Sequence, residues 1–288
     1  MWCGCALPLH RAWGSFVIAV LVLAAVRASA LTEADDANVL LGIVGASLPS
    51  QLSTWSDTSP CTNAWAYVTC TSGRVSAVEL PGSIVLTSGY LDDNIGFLDS
   101  LERLSLSGAG ISGLPLPDAF SDLTGLTYLS LSANSFTTGA PPSWSVLTGL
   151  RSLLLDSSSS LAVPGSGGPW AEWSTLTALE MLSLRDQGLS GGLPAEWASL
   201  TALTFMNLSE NELSGTLPPS WSSLSRLVDL RISDNTLSGS IPNTWISTLR
   251  HLDLSGNPAL CGGIPIGTVC PKTDRTNIGL TLATRNPP

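Results

Sequence analysis

The chain is poor in charge. Only 12% of its 288 residues are Asp, Glu, Lys or Arg, and its one lysine is Lys272. Acidic residues outnumber basic ones by 22 to 12, for a formal net charge of −10. With no basic cluster, the sequence lacks the electrostatic footprint of a nucleic-acid partner or of docking on an anionic membrane. Histidine is almost absent. Past the first 30 residues only His251 remains, and its setting reads as a polar, solvent-facing strand position. General acid–base chemistry needs a group titrating near neutrality in a shaped pocket, and one such histidine is thin support for it. There is no calcium-loop spacing around Asp35-Asp36 or Asp92-Asp93. The apolar run Phe16–Val26 is too short to span a bilayer, which takes about 20 residues.

What is abundant is leucine at a fixed period. Residues 179–226 hold two consecutive 24-residue units, LEMLSLRDQGLSGGLPAEWASLTA and LTFMNLSENELSGTLPPSWSSLSR. Leu or Met recurs at the first, fourth and sixth places, followed by a Leu-Ser-Gly step, a Leu-Pro step, a Trp and another Leu. A period of this length with Leu-x-x-Leu-x-Leu is the signature of a leucine-rich solenoid. Unit starts fall at Val75, Leu101, Leu126, Leu150, Leu179, Leu203, Leu227 and Leu249. The expected fold is therefore an α/β solenoid, a right-handed superhelix of about eight coils with disulfide-closed caps.

Each unit can be read physically. The alternation around the fourth and sixth places predicts a short strand whose third and fifth places face solvent. At the ninth place Asn134, Asn211, Asn235 and Asn257 recur. An inward amide there can bond turn backbone groups that would otherwise be buried unpaired. Ala109, Ser158 and Gln187 take that place elsewhere and should satisfy their turns less well. Gly215 permits a tight bend, and Pro218 supports an extended return. The far-side aromatics Phe120, Trp144, Trp173, Trp197, Trp221 and Trp245 read as core. No coil buries its leucines alone, so stability comes from stacking.

The ends differ from the middle. Residues 1–30 read as a signal peptide: His10 and Arg11, the run Phe16–Val26, then Ala28-Ser29-Ala30. Cys3 and Cys5 would leave with it. Of the other four cysteines, Cys61 and Cys70 precede the repeats, and Cys261 and Cys270 follow them. In an exported chain they read as disulfides, and a solenoid that holds its ends apart leaves only Cys61–Cys70 and Cys261–Cys270. Residues 31–74 form an N-terminal cap, with a helical stripe over 34–47 begun by Asp35 and Asp36. The repeats occupy 75–258, a C-terminal cap 259–271, and an aperiodic tail 272–288 is expected to be disordered. The unit starting at Leu150 carries five extra residues, with Asp156–Ser160 and Val163–Pro169 rich in Ser, Gly and Pro. It reads as a protruding loop, either a contact or a tolerated insertion.

The order Asp36 to Leu41, Leu52-Ser53-Thr54-Trp55, Cys61, Trp65, Val68-Thr69-Cys70, Gly73-Arg74-Val75 resembles the N-terminal cap of plant-type extracellular leucine-rich-repeat proteins. The Leu-Ser-Gly-x-Leu/Ile-Pro steps and the closing run Gly256 to Gly263 are similar to the same family, which includes receptor-like ectodomains and inhibitors of cell-wall pectinases. The Pro-x-x-Trp-x-x-Leu phrasing is also similar to repeats of algal and kinetoplastid surface proteins. The resemblance covers about residues 33–271 and implies a secreted or cell-surface binding module without catalysis or cofactor. No membrane span or kinase-like sequence follows Cys270, so the chain reads either as a secreted protein or as part of a receptor.

The outward strand positions define the candidate site, an extended concave face. Its middle exposes Tyr128, Leu154, Met181 and Phe205 near Arg151, Arg185 and Arg231. Such an aromatic-plus-Arg patch is the candidate partner-binding centre, for a protein, peptide or cell-wall polysaccharide. Asn207-Leu208-Ser209, beside it, is the one glycosylation acceptor pattern. Two other readings stand: a structural wall or coat component with no single ligand, and a secreted enzyme acting on polysaccharide. Against the enzyme, the outward positions show no acidic column.

Overall fold

The computed structural model describes residues 31–45, 47–86, 89–113, 115–138, 140–157, 170–242, 244–245, 249–261 and 279–281, with the backbone alone for Cys261 and 279–281. The expected signal peptide 1–30, the Cys261–Cys270 bridge, Ser158, the loop Val163–Pro169, and the tail 272–288 except 279–281 lie outside these residues.

One ten-stranded sheet runs the length of the repeats. It opens with β1 (Val68–Thr71) antiparallel to β2 (Arg74–Glu79). Then β3 (Arg103–Ser105), β4 (Tyr128–Ser130), β5 (Ser152–Leu154), β6 (Met181–Ser183), β8 (Phe205–Asn207), β10 (Asp229–Arg231) and β12 (His251–Asp253) join in parallel. The last strand, β14 (Gly279–Thr281), pairs antiparallel with β12. Those three residues lie within the segment 272–288.

The register matches the leucine spacing. Val78, Leu104, Leu129, Leu153, Leu182, Met206, Leu230 and Leu252 face one another across the strands and are buried. Opposite the sheet, each coil returns through a 3-10 turn, such as Asp118–Asp122, Pro142–Val146, Ala195–Ser199 or Pro219–Ser223. The third residue of these turns enters the core as Phe120, Trp144, Trp197 or Trp221. Most of the indoles also donate one coil back, over 27 residues. Trp144 Nε1 reaches the Pro117 carbonyl, Trp197 that of Trp170, Trp221 that of Pro194 and Trp245 that of Pro218. Trp173 Nε1, in the 29-residue unit, has no such acceptor.

The Leu-Ser-Gly steps do more than bend. β7 (Ser190–Gly192), β9 (Glu212–Thr216), β11 (Thr236–Ser240) and β13 (Ala259–Cys261) pair in parallel as a second sheet, which the sequence reading lacked. Gly215 sits there at φ +79°, as its bend requires.

The ninth-place asparagines do what their position implies. Asn211 Nδ2 donates to the carbonyls of Leu184, Leu208 and Ser209, and its Oδ1 accepts from the Gln187 and Leu189 N–H groups. It thus ties its own turn to the coil before it. Gln187 is one methylene longer. Its Nε2 reaches only its own turn, at Arg185 and Asp186, and its Oε1 is buried without a partner.

The cap seals the first coil. Helix α1 (Glu33–Val44) begins at Thr32, not at Asp35 or Asp36. Thr32 Oγ1 accepts from Asp35 N, and Asp35 Oδ2 accepts from Thr32 N, a reciprocal cap. Asp36 is fully buried and serves tertiary structure. It takes a two-pronged bond from Arg74 Nε and Nη2, at 2.9 and 2.6 Å, and a third from Val75 N. Trp55 and Trp65 stack at 5.1 Å beside the Cys61–Cys70 disulfide.

Candidate functional site

The strand register lays two columns of residues along the outward face of the main sheet. The third-place column runs Ala77, Arg103, Tyr128, Ser152, Met181, Phe205, Asp229, His251. The fifth-place column runs Glu79, Ser105, Ser130, Leu154, Ser183, Asn207, Arg231, Asp253. The predicted residues Tyr128, Leu154, Met181 and Phe205 therefore come together over four adjacent coils. Met181 is 40% exposed, and the other three are half-buried.

The predicted arginines take three different places. Arg231 lies inside the face. Its guanidinium holds Asp229 at 2.9 Å and stands 5.4 Å from the Phe205 ring centre. Arg151 precedes β5 and binds Glu180 at 2.6 Å. Arg185 follows β6 and binds Glu210 at 2.6 Å. Those two arginines flank the strip on opposite edges of the sheet.

Sequence reasoning missed four participants, Arg103, Glu79, Asp229 and His251. Arg103 lies 4.4 Å over the Tyr128 ring while bound to Glu79 at 2.7 Å. His251 places Nδ1 2.9 Å from Asp229 Oδ1. Burial pushes the Asp229 carboxyl up, but hydrogen bonds from Arg231 and His251 outweigh it and hold it below the usual carboxylate range. The signal was available: Arg103 is next to Tyr128 in the same column, and Glu79 faces that pair from the other.

One expectation needs correction. Fifth-place residues were expected to face solvent, yet Ser130, Ser183 and Asn207 are buried, Asn207 to 8% exposure. All three side chains are short. Asn207 also folds its Oδ1 onto the Ser209 N–H at 3.1 Å. A glycan, which Nδ2 would carry, would require this buried side chain to swing outward.

A cavity of about 270 Å³ lies elsewhere, between α1 and the 93–97 turn. Its carboxylates Asp35 and Asp92 are already engaged in capping their own turns. Among the described residues no group of His, Cys, Asp and Glu could hold a metal ion, and no helix is long and apolar enough to cross a membrane.

Comparison with known proteins agrees with this architecture. Residues 33–71 match a leucine-rich-repeat N-terminal domain, and 98–159 and 202–224 match leucine-rich-repeat families. Among solved structures, the chain is similar to the ectodomain of the Arabidopsis thaliana membrane receptor kinase GASSHO1/SCHENGEN3 in complex with Casparian strip integrity factor 2. That match has 29% identity and a TM-score of 0.66, over 82% of this chain and 30% of that one. It is similar to the Arabidopsis HAESA ectodomain in complex with a peptide hormone, at 25% identity and a TM-score of 0.53, over 77% and 45%. Pollen Receptor Kinase 3 matches at 26% and 0.51, over 81% of this chain and 99% of that one. The chain spans less than half the length of the first two. It carries a leucine-rich-repeat N-terminal domain and leucine-rich repeats of the plant extracellular type, similar to those of these receptor ectodomains.

Proposed function

We propose that the protein is an extracellular recognition module that seats a peptide or protein segment on the concave face of its main sheet, without a bond-making step. The observation that carries this reading is the in-register strip Tyr128, Ser152, Met181, Phe205, which offers aromatic and apolar surface at the middle of a long rigid sheet. Aromatic anchors on a preorganised surface are where binding energy concentrates. The similar receptor ectodomains in complex with Casparian strip integrity factor 2 and with a peptide hormone support a ligand-binding role. The test is capture from an extracellular fraction on the immobilised chain. One stoichiometric partner, lost in the Met181→Ser/Phe205→Ser double variant, is the expected result. Equal capture by both proteins would move recognition to another surface, and no partner at all would favour the structural-coat reading.

A further inference from the structure

We infer that the ligand segment seated on this strip is uncharged and apolar over about four extended residues, an inference that rests on the recognition role proposed above. The ground for it is the fate of the charges. Four arginines border the strip, and each already holds a carboxylate. Arg103 holds Glu79 at 2.7 Å, Arg151 holds Glu180 at 2.6 Å, Arg185 holds Glu210 at 2.6 Å and Arg231 holds Asp229 at 2.9 Å. Four cations and four anions cancel. An arriving anion meets arginines whose charge a carboxylate already offsets, and an arriving cation meets carboxylates offset by an arginine. Two of the guanidiniums are further committed to ring faces, at Tyr128 and Phe205.

Inside this frame the floor carries no charge. It is Tyr128, Ser152, Met181 and Phe205 in one column, and Ser130, Leu154, Ser183 and Asn207 in the other. Adjacent strands lie about 4.8 Å apart, so the three steps from Tyr128 to Phe205 cover about 14 Å, the reach of about four extended residues at about 3.3 Å each. A charged side chain laid there would lose water and find no counter-ion, whereas an apolar one would lose only unfavourable hydration. Met181, unbranched and exposed at the centre, can refit around apolar side chains of different shape.

The experiment pans a displayed random-peptide library against the whole chain. Enriched peptides are resynthesised with blocked termini, and their affinity is measured from low to high salt. The expected result is a shared neutral, apolar core, with affinity that changes less than about twofold over a tenfold salt range. Ser152→Asp, which sets a charge into the floor, should weaken those peptides by about tenfold and admit lysine-bearing ones. Enriched peptides with an acidic or basic centre, or affinity that falls more than about tenfold with salt, would overturn the inference and leave recognition on this face intact. An unchanged profile for Ser152→Asp would also overturn it. If the parent chain and Met181→Ser/Phe205→Ser enrich the same peptides, or neither enriches any, the recognition reading fails and this one with it.

Discussion

At the eighth place of seven coils the backbone turns through positive φ, yet only Gly108 and Gly256 meet that turn with glycine. Ala133, Ser157, Asp186, Glu210 and Asp234 hold it at φ +53° to +59°. An L side chain in that region costs about 1–2 kcal/mol, part of which is returned because glycine loses more freedom on folding. Ala133→Gly should therefore raise stability by about 0.5–1 kcal/mol in urea unfolding. Gly256→Ala should lower it, since its Cβ would lie 2.8 Å from Asp234 N. None of this was legible in the sequence, because Ala or Glu at a turn gives no sign of a left-handed backbone. The asparagine beside it was legible, since few residues other than an inward amide answer both donors and acceptors. That logic predicts a gain from Gln187→Asn. The shorter amide can bridge to the coil before it as Asn211 does, and it removes the orphaned Oε1. The expected gain is about 1 kcal/mol by the same urea measurement. Asn207 carries the opposite lesson. Its acceptor motif is plain in sequence, but its burial is not, and intact-mass analysis of secreted material should find it unmodified.

Among the elements, the N-terminal cap depends most on contacts distant in sequence. α1 is held to the first coil by Asp36 and Arg74, 38 residues apart, and to the disulfide loop by Glu33. Glu33 accepts from Cys61 N, Thr62 N and Thr62 Oγ1. The Thr62 backbone bond is the largest of the causes that hold its carboxyl below the usual range, against an opposing effect of burial. A carboxyl with a depressed folded-state pKa adds stability above its unfolded value, near 4.5, and loses it as the pH falls through the folded value. Cap tryptophan fluorescence should accordingly loosen below about pH 4.5, and Glu33→Gln should remove that acid transition. A transition that persists unchanged in Glu33→Gln would assign it to another carboxyl. The helix itself was readable from its apolar stripe. The pairing of Asp36 with Arg74 was not, because adjacent Asp35 and Asp36 look alike as cap residues and only the fold separates their roles. The second sheet was hidden for a related reason. A Leu-Ser-Gly step reads as a bend in one coil and becomes a strand only when its neighbours supply the pairing.

Across the whole molecule, each coil touches mainly its neighbours, so the array is as strong as its weakest junction. Two buried orphan atoms fall at the two junctions of the 29-residue unit: Trp173 Nε1, where an indole would reach the coil before it, and Gln187 Oε1, where an amide would reach back from the coil after it. Hydrogen exchange should therefore show β5 and β6 opening before β8 and β10, whose junction has both its asparagine and its indole bonds in place. Uniform protection along the sheet would contradict this. The indole bonds of the regular coils have one more consequence. Each reaches back by the same 27 residues, so every regular junction presents an identical socket and plug. A duplicated or deleted stretch one full unit long would arrive with matching ends, whereas a change of one or two residues would strand a donor. Growth of such a chain by whole modules is thus nearly free of structural cost, and the span of its face can be altered without redesigning any joint.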